Sequence, residues 1–240
     1  MKKICIEKFK LPSCLIIIIP FLLLQLGGCK DDLHTAVNKG DFKRVKQIVN
    51  TGADVNKKDS IGQTSLHRAA GRGDGEHYID FYHLDEIAEF LINHGANVNA
   101  EDKNGFTPLS VAATSNNFKV AKLLISKGAD INHKDITGST PLYLAFEYSK
   151  IHIASLHDES KKTIETLIEA GANVNVQDDF GSTPLYLAII RRNLELVKML
   201  VENGADINLK DSEGRSPIFY AKKDKLTDIV RYLQEHGVVE

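Results

Sequence analysis

Residues 128–142 read Gly128-Ala129-Asp130-Ile131-Asn132-His133-Lys134-Asp135-Ile136-Thr137-Gly138-Ser139-Thr140-Pro141-Leu142, and every marked feature of this stretch returns elsewhere in the chain. Its opening glycine belongs to the series Gly52, Gly95, Gly128, Gly171, Gly204 and Gly237, spaced 43, 33, 43, 33 and 33. Asn132 belongs to Asn56, Asn99, Asn132, Asn175 and Asn208, and Asp135 to Asp59, Asp102, Asp135, Asp178 and Asp211, at the same intervals. Pro141 lies in phase with Pro108, Pro184 and Pro217. A fixed period of this length marks a stack of similar supersecondary units, each too small to bury its apolar face alone.

Each unit has a physical reading. In Thr107-Pro108-Leu109 the hydroxyl can cap free helical N–H groups, and proline suits the first helical position. Ala112-Ala113 keeps this first helix thin. A second helix follows. Apolar residues stand seven, four and three positions before the closing glycine, as in Ala121, Leu124 and Ile125, which is helical spacing. The glycine supplies a left-handed C-cap, and Asp-x-x-Gly turns the chain back toward the next helix. In the last unit the third apolar position is Gln234, as suits a terminal repeat facing water.

These motifs resemble the ankyrin repeat nearly residue for residue, from Asp31 to Gly237. The resemblance implies an all-α solenoid of six stacked helix pairs with hairpin fingers along one edge, at about 31–58, 59–101, 102–134, 135–177, 178–210 and 211–240. It also implies a protein-binding role through finger tips and first-helix surfaces. Carried to this chain, the tips include Ile61, Phe106, Ile136 and Phe180, apolar where a tip should be wet, together with Lys103 and Arg215. A row of exposed apolar residues is the signature of an interface; packing of finger against finger is the competing reading.

The chain departs from the family pattern in three places. Histidine commonly follows Thr-Pro-Leu, but only His34 and His67 keep it; Ser110, Tyr143, Tyr186 and Phe219 replace it. The three aromatic residues are expected to form a column along the first helices. Repeats two and four each carry ten extra residues between their helices, at about 71–83 and 148–161. Tyr78, Phe81, Tyr82 and Ile151 make these insertions a candidate second binding edge. They could instead fill a gap, since Asp85 and Lys161 stand where Phe42, Phe118 and Leu194 stand in the other repeats. Finally, almost no linker precedes the first repeat.

The 28 residues ahead of Cys29 have a different character. Lys2, Lys3, Lys8 and Lys10 precede an apolar run from Leu15 to Leu26, too short for the roughly 20 residues of a spanning helix. The run ends in Leu26-Gly27-Gly28-Cys29, which resembles the lipobox of bacterial lipoproteins. That resemblance implies cleavage before Cys29, lipid on Cys29, and a mature domain of residues 29–240 lying against a membrane. The lipid is expected to substitute in part for a polar capping repeat. Lys30 in place of aspartate leans toward the outer membrane, facing the periplasm, in a diderm organism. No thiol would remain for a disulfide.

Composition excludes other classes. The whole chain carries a net charge of −2, so it offers no electrostatic case for nucleic acid. There is no phosphate-binding glycine loop, no Gly-x-Ser-x-Gly elbow and no paired-cysteine zinc spacing. His77, Asp80, His83 and Asp85, and His152, His157, Asp158 and Glu159, cluster at the insertions without an established ligand spacing. No catalytic residue, metal site or cofactor is expected. The expected function is a monomeric, membrane-anchored, non-enzymatic module that binds a protein partner, in the form of an inhibitor or immunity protein for an envelope effector. A structural scaffold of the envelope is the alternative, and a metal-dependent enzyme using the insertions is a third reading.

Overall fold

The computed structural model describes residues 32–71, 84–148 and 158–238. Cys29, the signal segment, Tyr78, Phe81, Tyr82 and Ile151 lie outside the described residues. Those residues form twelve helices and no strand. They pair as α1 (Leu33–Asn38) with α2 (Phe42–Asn50), α3 (Ser65–Ala70) with α4 (Leu84–Asn93), and α5 (Pro108–Thr114) with α6 (Phe118–Ser126). The series continues with α7 (Pro141–Tyr148) and α8 (Asp158–Glu169), α9 (Pro184–Ile190) and α10 (Leu194–Glu202), and α11 (Pro217–Lys223) and α12 (Thr227–Glu235). First helices pack in one row, each on the next from α1 to α11.

Local chemistry sets the helix ends. The Thr107 hydroxyl accepts from the Ser110 amide at 3.3 Å, with Pro108 in the first turn. Second helices start on Asp41, Asn117 and Asn193, whose side chains accept from Arg44, Val120 and Leu196 amides. At the close of α6, Gly128 adopts φ 85°, and Ala129 N–H returns to the Leu124 carbonyl at 3.0 Å. The turn between paired helices also needs a left-handed residue. Gly40 takes it in the first repeat, and Asn116, Arg192 and Lys225 take it in repeats three, five and six.

The core follows the period. Leu66, Leu109, Leu142 and Leu185 from first helices, and Leu91, Leu124, Leu167 and Leu200 from second helices, are fully or almost fully buried. Each contributes about 2 kcal/mol by leaving water. The structure adds a position that helical spacing from the glycine had not marked. Eight residues before each closing glycine, Ile87, Val120, Thr163, Leu196 and Ile229 are buried as well. In the first repeat that position is Arg44, and it is exposed. Gln47 is exposed where Leu123 and Met199 lie half-buried. Repeat one therefore carries its own polar end, while the lipid expected to substitute in part for one would sit on Cys29, outside the described residues.

One further expectation changes. The second insertion does not run as loop to residue 161: α8 begins at Asp158, so its last residues add a turn of helix. At the positions of Asp85 and Lys161, Leu84 packs on the core beside Asp85, and Lys161 Nζ reaches Glu195 Oε1 at 2.8 Å. The apolar insertion residues expected to fill this gap lie outside the described residues.

Adjacent repeats are joined by an asparagine ladder. Asn56 Nδ2 donates to the Gly95 carbonyl at 2.9 Å, while its Oδ1 accepts from the Asn97 amide at 2.8 Å. Asn99 does the same to Gly128 and Asp130, and Asn175 to Gly204 and Asp206. Each such pair satisfies a carbonyl at a helix end and ties it to the preceding repeat.

Candidate protein-binding surface

Each finger is a turn organised by one aspartate. Asp135 Oδ1 accepts from the Thr137 amide at 2.8 Å and the Ser139 amide at 3.0 Å, while Asp135 N–H donates to the Ser139 carbonyl. Asp59, Asp102, Asp178 and Asp211 accept from the equivalent pair of amides in their own fingers. Neighbouring fingers are then zipped by a backbone bond: Lys103 N to Ile61 O, Ile136 N to Asn104 O, Asp179 N to Thr137 O and Ser212 N to Phe180 O, all at 3.1–3.2 Å. The fingers are thus held together by main chain, which leaves the tip side chains free.

Ile61, Ile136 and Phe180 are 49%, 68% and 72% exposed. Ile136 and Phe180 stand on adjacent, hydrogen-bonded fingers, and Lys103 is exposed on the finger before them. Phe106 corrects the expected row. It stands four residues after its aspartate, where the chain re-enters the helix, and it is half-buried; its carbonyl accepts from His67. Arg215 occupies the same place in the last finger. It pairs with Asp211 at 3.0 Å and with Glu213, and lies over the Tyr220 ring. Burial opposes ionisation of Asp211, yet hydrogen bonds from Tyr220 and Arg215 hold its pKa at about 2.

The expected aromatic column divides into three environments. Tyr143 is buried and its hydroxyl donates to Asp178 Oδ2 of the next finger at 2.8 Å. Burial and that carboxylate raise its pKa, so it remains the donor. Tyr186 is half-buried and meets Tyr220 edge to face at 4.5 Å. Phe219, with no further finger beyond it among the described residues, is exposed. Ile190 and Tyr148 are also exposed on the first-helix row, which the repeat pattern had not marked.

Where histidine is kept, it crosses to the next finger. His34 Nε2 lies 3.0 Å from the Gln63 carbonyl. His67 is fully buried; its Nδ1 accepts from Thr64 N–H at 3.1 Å, so the proton sits on Nε2 and is donated to the Phe106 carbonyl at 2.9 Å. Burial, which disfavours the charged ring, lowers its pKa below the usual 6.5. The unfolded chain therefore takes up the proton first. Stability is fully present above pH 6.5 and falls as pH drops through it, with a slope approaching 1.4 kcal/mol per pH unit until the folded pKa is reached. Urea unfolding at pH 7, 6 and 5 checks this: His67→Gln flattens the slope, and an unchanged slope would assign the pH dependence elsewhere.

Among the described residues, no cluster of three metal-ligating side chains occurs, and no helix is long and apolar enough to cross a membrane. Of the two histidine–acid clusters at the insertions, only Asp85, Asp158 and Glu159 lie within them.

Known proteins share this arrangement. The family described as ankyrin repeats (3 copies) matches residues 33–135, 82–156 and 151–239. The crystal structure of the ankyrin repeat protein EF0377 superposes with a TM-score of 0.68 at 27% identity, covering 87% of this chain and 98% of that one. An ankyrin repeat protein of Rickettsia felis is 33% identical over 84 residues, covering 35% of this chain and 20% of its own length. The 2-5A-dependent ribonuclease of Mus musculus is 41% identical over 83 residues, covering 33% of this chain and 10% of its own. This chain thus spans a fifth or less of either curated relative, and what it shares with them is the repeat. On the match across residues 33–239, the chain belongs to the ankyrin repeat family.

Proposed function

We propose that this protein is a membrane-anchored, non-enzymatic binding module of a bacterial envelope, which captures a protein partner on its finger tips and acts as an inhibitor or immunity protein for an envelope effector. The observation that carries the binding reading is the pair Ile136 and Phe180, apolar and more than two-thirds exposed on adjacent fingers whose backbones are already bonded to each other. Solvent-exposed large apolar side chains held on a rigid support are typical anchors of an interface. The insertions at 71–83 and 148–161 supply the second edge. The anchor rests on the basic, apolar and Leu26-Gly27-Gly28-Cys29 pattern of the sequence.

Pull-down from detergent-solubilised envelope with the purified mature chain is the direct test. A single protein recovered in stoichiometric amount, whose hydrolytic or toxic activity the chain suppresses, is expected. Recovery of a structural envelope protein without any suppressed activity would favour the scaffold role instead. The anchor has its own test: Cys29→Ala ceases to incorporate labelled palmitate and is not processed to the mature size. A variant still found in membranes at mature size would overturn the lipoprotein reading.

A further inference from the structure

Charge is unevenly divided along the repeats. Residues 31–58 hold six basic and four acidic side chains, a net +2, whereas residues 59–240 hold 19 and 27, a net −8. The basic excess is concentrated on α2. Lys43, Arg44 and Lys46 are all exposed, and among the described residues none pairs with a carboxylate; Lys46 lies over the Phe42 ring and Arg44 donates to Gln47 Oε1. The nearby Asp41 and Asp54 carboxylates are engaged by the amides of Arg44 and Asn56. Arg44 and Gln47 occupy positions that are buried or half-buried in later second helices, and at the second of them Phe90 meets Phe42 of the preceding repeat, so the first repeat leaves both exposed at the end of the stack.

In sequence, the candidate lipid site directly precedes that repeat. Three residues separate Cys29 from Leu33, the first residue of α1, so the four steps of covalent chain can span no more than about 14 Å. From the unpaired cations, their place on the free end and this tether, we infer that α2 of repeat one is a docking surface for anionic lipid headgroups. The inference rests on the anchored reading for its biological setting, while the surface itself is formed by the folded body. An anionic bilayer attracts this end and repels the acidic remainder, so repeat one lies against the lipid and the finger tips of repeats two to five stay free for a partner.

The test uses the full mature chain carrying Cys29→Ser, which removes lipid and leaves electrostatics alone. It is sedimented with phosphatidylcholine vesicles and with mixed phosphatidylcholine–phosphatidylglycerol vesicles at low salt. Binding to the anionic vesicles only is expected. The triple variant Lys43→Gln, Arg44→Gln, Lys46→Gln should bind them roughly a hundredfold more weakly, at about fivefold per cation. The matched triple Lys222→Gln, Lys223→Gln, Lys225→Gln, at the opposite end, should bind as the parent does. Equal loss in the two triples, no loss in the first, or equal binding to both vesicle types would overturn the proposal. So would a first triple that keeps its vesicle binding and loses only a protein partner, since the surface would then serve that protein. Failure here leaves the palmitate-labelling result for Cys29→Ala unaffected, so the two readings fail separately.

Discussion

Replacing Gly181 with alanine is expected to cost about 3–4 kcal/mol of stability, while the same change at Gly214 costs about 1–2 kcal/mol. The two positions close equivalent fingers and share a backbone conformation, φ 75° at Gly181 and 76° at Gly214. Both therefore meet the left-handed strain of a residue with a Cβ. They differ in what that Cβ would touch. At Gly181 it would stand 2.6 Å from Ser212 N, 2.9 Å from Asp211 C and 3.0 Å from Asp211 Cα, all backbone of the next finger. At Gly214, the last finger, nothing lies within 4 Å. The added loss at Gly181 comes from pushing fingers five and six apart, which breaks the bond from Ser212 N to Phe180 O. Urea unfolding midpoints of the two variants measure the difference. Equal losses would mean that finger stacking contributes nothing and that backbone strain explains both.

This asymmetry shows what the repeat period carries and what it leaves out. The recurrence of Gly128, Asp135 and Pro141 is enough to place helix pairs and fingers, because each motif closes its own local hydrogen bonds, as Asp135 does with Thr137 and Ser139. The work of Asn99 was not legible in the same way. Its recurrence was plain, but its partners Gly128 and Asp130 are 29 and 31 residues away and become neighbours only once the repeats stack. Phe106 misled for a related reason. An apolar residue in a finger looks alike from sequence whether it stands one or four residues after the aspartate, yet the first position points outward and the second returns to the helix, leaving Ile136 exposed and Phe106 half-buried. The tyrosines following Thr-Pro-Leu were recognisable as substitutes for histidine. Their separate roles depend on the neighbour each one meets: Asp178 for Tyr143, Tyr220 for Tyr186 and no further finger for Phe219.

The double variant Ile136→Asp, Phe180→Asp is expected to weaken binding to the partner recovered from the envelope by at least a hundredfold, with the unfolding midpoint nearly unchanged. Both side chains are mostly in water in the free protein, 68% and 72% exposed, so changing them removes little core contact. Surface substitutions of this kind stay within about 0.5 kcal/mol of the parent stability. In a complex the same side chains would be desolvated anchors, each contributing about 2 kcal/mol or more, and aspartate in such a pocket adds an unpaired charge. The turn geometry should survive, because Ile136 N–H still donates to Asn104 O and Phe180 O still accepts from Ser212 N through the backbone, whatever the side chain. Calorimetric titration of the partner into parent and variant, with helical circular dichroism on both, separates loss of contact from loss of fold. Phe106→Ala provides the contrast. Phe106 is half-buried where its finger re-enters the helix, so the change should lower stability more than the double variant does and reduce affinity less. If the double variant binds as well as the parent, the finger tips are not the interface, and the insertions between the paired helices become the surface to truncate next.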